Sequence, residues 1–143
     1  MNCWTSHTGA PGFTRTLNIN FRDGSLNYKV LAVFAPLLIL VGVAGFVIPA
    51  EKSLTSGAPA YNVFHIVFGM IGVLVLWSGK EKLISSFNAG FGLIDLYQAL
   101  ASYLNLSPEQ YFRWTTVDDA LHLIIGLLLL IIGASGLFRG HRS

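Results

Sequence analysis

Asn62-Val63-Phe64-His65-Ile66-Val67-Phe68-Gly69 is a stretch that the chain states twice: farther on it reads Asp119-Ala120-Leu121-His122-Leu123-Ile124-Ile125-Gly126. Each copy carries an Asx residue, a histidine three places on and a glycine four places after that, with only apolar residues between. Each copy opens a long apolar run, and a helix needs roughly 20 mostly apolar residues to cross the hydrocarbon core of a bilayer. Working outward from the two copies, the chain has four such runs, at about 29–49, 61–79, 86–105 and 117–138.

The composition agrees with a bilayer. Of 143 residues, 53% are hydrophobic and 11% charged, against about 25% charged in soluble domains. Four helices this apolar would have no polar faces to show to water, so the runs are assigned to the membrane. The expected fold is an all-α membrane protein of one domain. Residues 1–28 form a polar leader, and 29–143 form four transmembrane helices in an up-down bundle. Short connections favour sequential neighbours packing antiparallel. A formal net charge of +2, with no cluster of Lys and Arg, gives no reason to expect a nucleic-acid partner. Cys3 is the single cysteine, which excludes an intramolecular disulfide and a metal site built from thiolates alone.

In the leader, Leu17, Ile19 and Phe21 alternate with Asn18, Asn20 and Arg22. Asp23-Gly24 supplies a turn, and Leu26 and Tyr28 resume the alternation. That pattern predicts a short β-hairpin beside the membrane, with an unstructured terminus as the alternative. The leader lacks the apolar core and small-residue cleavage site of a secretory signal, so the first apolar run is expected to act as its own membrane signal. Pro36 predicts a bend in the first helix. Ser107-Pro108-Glu109-Gln110 reads as an N-cap, a first-turn proline and a capping-box partner. It predicts a short interfacial helix at about 108–114, whose Tyr111, Phe112 and Trp114 favour the membrane–water boundary. Thr116 is the expected cap of the last long helix.

Orientation follows from the basic residues. Arg15, Arg22, Lys29, Lys80, Lys82, Arg139 and Arg142 fall at one end of the runs, and only Lys52 and Arg113 at the other. Basic residues favour the cytoplasmic side, which places both termini inside and both histidines at a similar depth in the outer leaflet. The expected location is the bacterial inner membrane, or an internal membrane derived from it.

Residues three or four apart share a helix face. That aligns Asn62, His65, Gly69 and Gly72 in the second run, and Asp118 or Asp119 with His122, Gly126 and Gly133 in the fourth. The third run has its own stripe of Asn88, Gly92, Asp95, Gln98 and Ser102. Small and polar faces of membrane helices turn toward other helices, so Asn62, Gly69, Asp95, Gln98, Asp119 and Gly126 are expected in a polar interior. A charged carboxylate at the depth of Asp95 costs several kcal/mol unless it is paired or protonated. Gln98, one turn nearer the outside, is the better placed of the two to meet a histidine.

The repeated histidines admit three readings. Each can bond an Asx or Gln partner and pin the helices together. Alternatively, His65 and His122 can be axial ligands of a haem or a chlorophyll-type pigment, the glycine one turn away leaving room for a flat macrocycle. Or they can join Asp95 in a small proton or ion conductor. No nucleophile–base pair, phosphate loop or H-E-x-x-H metal signature is present, so neither catalysis nor a metal site is expected.

The paired H-x-x-x-G signatures, each with an Asx three residues before the histidine, resemble a widespread bacterial family of small four-helix membrane proteins of unknown function. The match is Asn62, His65 and Gly69 with Asp119, His122 and Gly126, within residues 29–138. In the third helix, where the family carries glycine followed closely by tyrosine, Asp95 precedes Tyr97 here. The resemblance implies the fold and the membrane location but supplies no activity. With the polar leader and the absence of catalytic residues, it favours a non-catalytic membrane subunit whose partners are the lipid bilayer and other membrane proteins.

Overall fold

A computed structural model describes residues 25–139. The described residues form helices joined by short loops, without strands: α1 Leu26–Val47, α2 Pro59–Ser78, α3 Glu81–Leu104, a single turn α4 Glu109–Phe112, and α5 Thr116–Arg139, with one 3-10 turn at Ala50–Lys52. Three helices are long and apolar enough to cross a membrane, α1, α2 and α5. The fourth long helix, α3, has 24 residues, but its Asn88, Asp95 and Gln98 make it less apolar than the others.

Local chemistry sets the boundaries. Ser25 caps α1, its Oγ accepting the Tyr28 N–H at 3.2 Å. That draws Leu26 and Tyr28 into the helix, so the second arm of the expected hairpin is helical. The first arm, 17–22, and the Asp23-Gly24 turn lie outside the described residues. Pro59 opens α2, where its missing N–H costs nothing. Gly79 closes α2 in the left-handed conformation (φ 62°). The connection is then only Gly79 and Lys80, so α3 begins at Glu81 rather than near 86, and Lys82 belongs to its first turn. At the far end of α3, Asn105 takes the same left-handed conformation, and the Leu106 N–H closes back onto the Ala101 carbonyl at 2.8 Å.

The expected cap chemistry of the last two helices needs correcting. Ser107 makes no capping bond, and α4 runs only from Glu109 to Phe112, stopped by Arg113 at φ 48°. The cap of α5 is Thr115, not Thr116: its Oγ1 accepts the Asp118 N–H at 3.2 Å, and the Asp118 carboxylate accepts the Thr115 N–H at 2.8 Å. This is a reciprocal capping box. Trp114, expected at the interface, is buried against Ala58, Tyr61 and Ala101, whereas Tyr111 is exposed.

The long helices pack in two antiparallel pairs, α1 on α2 and α3 on α5. Although only two residues join α2 to α3, those two barely touch along their lengths. Between the pairs runs an apolar seam built on Phe34, Leu38, Phe91 and Leu129, with Phe34 and Phe91 edge to face at 5.3 Å between ring centres. A polar clamp ties the seam at each end. At the end carrying Ser25 and Gly79, the Asn88 amide donates to the Asn27 carbonyl and side-chain oxygens (3.1 and 2.9 Å), and the Asn27 amide donates to the Ile132 carbonyl at 3.0 Å. The other end carries the histidines.

A two-histidine chamber between the helix pairs

At that end the anchor is Asp118, completely buried. Its Oδ2 accepts the Ser56 N–H and the Thr115 N–H, both at 2.8 Å, and its Oδ1 accepts the Tyr61 hydroxyl at 2.8 Å. One carboxylate thus joins the α1–α2 loop, the start of α2 and the start of α5. The Ser56 hydroxyl extends the tie by donating to the Phe112 carbonyl. Charge-assisted bonds of this kind are about twice as strong as neutral ones. Removing the one side-chain donor that comes from the α1–α2 pair, in Tyr61→Phe, is expected to cost about 2 kcal/mol of stability. Thermal unfolding in detergent measures it, and an unchanged midpoint would show that this bond does not hold the pairs together.

Just below the clamp, His65, His122, Asp95 and Tyr61 line one chamber of about 150 Å³. His65 comes from α2, His122 from α5 and Asp95 from α3, so the chamber lies where the two helix pairs meet. Each of the three is at least nine-tenths buried: His65 6%, His122 5% and Asp95 4% exposed. The Tyr61 ring lies against both imidazoles, 4.1 Å from His65 and 6.5 Å from His122 between centres. Phe34, Leu38 and Phe91 supply apolar wall, and Thr55 reaches in from the α1–α2 loop.

The bonding state of His65 is set by its neighbour. Nδ1 lies 2.8 Å from the Tyr61 carbonyl oxygen, which only accepts, so Nδ1 carries the hydrogen and Nε2 of the neutral ring is an acceptor. His122 Nδ1 is buried without a partner among the described residues. Neither imidazole bonds the Asx residue three places before it. Asn62, about 60° round the helix from His65, packs its amide on Gly45 of α1. Asp119 is half-buried, and Asp118 takes the inward position instead. Gln98 is buried, but it does not line the chamber, and its Oε1 has no partner among the described residues. Asp95 faces the histidines in its place.

The two motif glycines explain how. A Cβ on Gly69 would lie 2.8 Å from the Ala35 carbonyl oxygen and 2.9 Å from the Ile39 amide nitrogen, both backbone atoms of α1. A Cβ on Gly126 would lie 3.0 Å from the Gly92 carbonyl oxygen and 3.0 Å from the Asp95 Cβ. Each glycine therefore seats the partner helix one turn below its histidine. At Gly126 this brings Asp95 against α5, close enough for its carboxyl to reach the chamber despite lying about one turn deeper than His122. The space expected beside the glycines for a flat macrocycle is taken by helix backbone. The chamber itself is well below the roughly 300–1,000 Å³ of ordinary ligand pockets, so a haem or chlorophyll-type pigment between His65 and His122 does not fit.

Tyr61 is the site residue that motif reading passed over, and of Asp118 and Asp119, which it left as alternatives beside His122, Asp118 is the one that anchors the site. A signal existed in Thr115-Thr116-Val117-Asp118, a capping box immediately ahead of the second motif. The described residues define an all-helical fold with three helices suited to a bilayer and a small, mostly apolar chamber between the helix pairs that carries a few polar groups. The chain matches no family model, no curated protein and no solved structure.

Proposed function

We propose that this protein is a non-catalytic integral membrane subunit that binds and stabilises a larger membrane protein complex. In this reading it belongs with the small bacterial four-helix proteins its paired motifs resemble, and it resides in the inner membrane or one derived from it. The observation that carries the reading is how the interior polar groups are used. Asp118, Tyr61, Asn27 and Asn88 are engaged in tying the helix pairs together, and His65, His122 and Asp95 face a chamber too small for an ordinary substrate. All four long helices meanwhile turn large apolar side chains outward, among them Leu40, Leu74, Leu93 and Ile131, a surface suited to lipid and to other membrane helices.

In this reading α3 is the fourth span. Its 24 residues reach about 36 Å, enough for the hydrocarbon core. It lies antiparallel along α5, from Ser85 beside Gly133 to Asp95 beside Gly126, so it crosses wherever α5 crosses. Its Asn88, Asp95 and Gln98 face inward, and its outer face carries Leu93 and Leu100. The basic residues then place both termini in the cytoplasm.

Two measurements test this. Purified gently from its native membranes, the protein is expected to carry a constant set of partner bands; a chain that always migrates alone would sink the subunit reading. A membrane-impermeant maleimide is expected to label Cys3, the single cysteine, in inverted vesicles and not in intact cells. The opposite pattern would reverse the topology.

A further inference from the structure

The chamber holds more unmatched chemistry than packing requires. Asp95 has no hydrogen-bond partner among the described residues, yet it is 96% removed from solvent by its 4% exposure, and it lines the same space as two imidazoles. His65 Nε2 is an acceptor because Nδ1–H is committed to the Tyr61 carbonyl, and the Tyr61 hydroxyl proton is committed to Asp118. A neutral His122 carries one N–H and one acceptor nitrogen, and the Asp95 carboxyl accepts when ionised and donates when protonated. The chamber therefore suits a guest that both donates and accepts, as water does. The titratable groups facing Asp95 are His65 and Tyr61 from α2 and His122 from α5, and the histidines in turn feel Asp118 and, at His122, Asp119, both of α5; α1 presents only Phe34, Leu37, Leu38 and Val41, and the loop only Thr55. These residues form no group of three metal-ligating side chains placed to hold an ion. At roughly 30 Å³ per water, the chamber accommodates about five. Thr55 also lines a surface pocket with Ser53, Ser56, Arg113 and Thr115, so it is common to the chamber and the loop surface.

We propose that the chamber is a hydrated proton-holding site, in which Asp95, His65 and His122 keep at least one exchangeable proton among them through a small water cluster, exchanging with the loop side past Thr55. The transfer breaks and forms only O–H and N–H bonds: a carboxyl proton passes to a water oxygen while a water proton passes to an imidazole nitrogen. Nothing is oxidised or reduced. Such a site stands whether or not the protein is a subunit of a larger complex, because it rests on the chamber alone.

The test is pH-induced infrared difference spectroscopy on the full chain in detergent, in H₂O and in D₂O. The expected result is a protonated-carboxyl band that is lost in Asp95→Asn, shifts in D₂O, and titrates with a midpoint moved by about one pH unit in His122→Gln or His65→Gln. A titration indifferent to both histidine substitutions would overturn the shared proton, and a band that does not shift in D₂O would overturn the water cluster. Absence of any Asp95 band over the accessible pH range would overturn both. Ammonium chloride against sodium chloride at fixed pH is a further arm: a band moved only by ammonium assigns the donor to that ion and overturns water as the guest. Asp95→Asn preserves volume, and should it fail to fold, the wild type against His122→Gln still decides the outcome.

Discussion

Asp118→Ala is expected to destabilise the protein by about 3–5 kcal/mol, the largest loss from any single side chain here. The substitution leaves the Ser56 and Thr115 N–H groups and the Tyr61 hydroxyl without their acceptor, at a position that solvent does not reach. Each buried donor left unsatisfied costs about 1–3 kcal/mol. Asp118→Asn is not a mild replacement, because its amide NH₂ would point a donor at donors. A double-mutant cycle isolates the contact between helix pairs. Tyr61→Phe, expected to cost about 2 kcal/mol alone, should cost almost nothing in the Asp118→Ala background, since the hydroxyl has already lost its partner. Unfolding midpoints in one detergent for the four proteins make the measurement. Additive losses would mean that the Tyr61 hydroxyl does not bind the two pairs together through Asp118.

That the motif reading did not decide between Asp118 and Asp119 has a physical reason. Periodicity tells which face of a helix is polar, and neighbours 118 and 119 are only about 100° apart on that face. The repeat aligned Asp119 with Asn62 and so favoured the wrong neighbour, whereas the capping box Thr115-x-x-Asp118 depends on a loop contact that no repeat encodes. Burial itself was legible. His65, Gly69, Asp95, Gln98, His122 and Gly126 are all buried, because spacing by three and four fixes a common face whatever lies opposite. What lies opposite was not legible. Asp95 rather than Gln98 meets the histidines because Gly126 lets α3 approach, a property of the pair and not of either helix. Trp114 was assigned to the interface on its residue type, but the α1–α2 loop folds over it. Asn27 was counted with the leader because alternation in Leu26-Asn27-Tyr28 imitates a strand, and Ser25 as a cap outweighs that pattern.

Gly69→Ala is expected to cost about 3 kcal/mol, and Gly126→Ala about 1 kcal/mol, whereas Gly90→Ala should be neutral or gain up to about 1 kcal/mol. All three replace glycine by alanine inside a helix, so intrinsic propensity favours each substitution equally. The difference lies in what the added methyl meets. At Gly69 it runs into the backbone of α1, at 2.8 Å from the Ala35 oxygen and 2.9 Å from the Ile39 nitrogen, atoms that move only if the whole helix moves. At Gly126 the contacts are 3.0 Å or more and include the Leu96 side chain, which can adjust. At Gly90 nothing lies within 4 Å. Unfolding of the three variants in one detergent ranks them. The ranking also separates two roles for the repeated motif. If the glycines seat neighbouring helices, stability follows the order given and the absorption spectrum of protein from native membranes is the same in all. If they instead leave room for a pigment, Gly69→Ala and Gly126→Ala should bleach the protein with little loss of stability. A bleached but stable Gly69→Ala would therefore overturn the close approach of α1 and α2 on which the chamber's geometry depends.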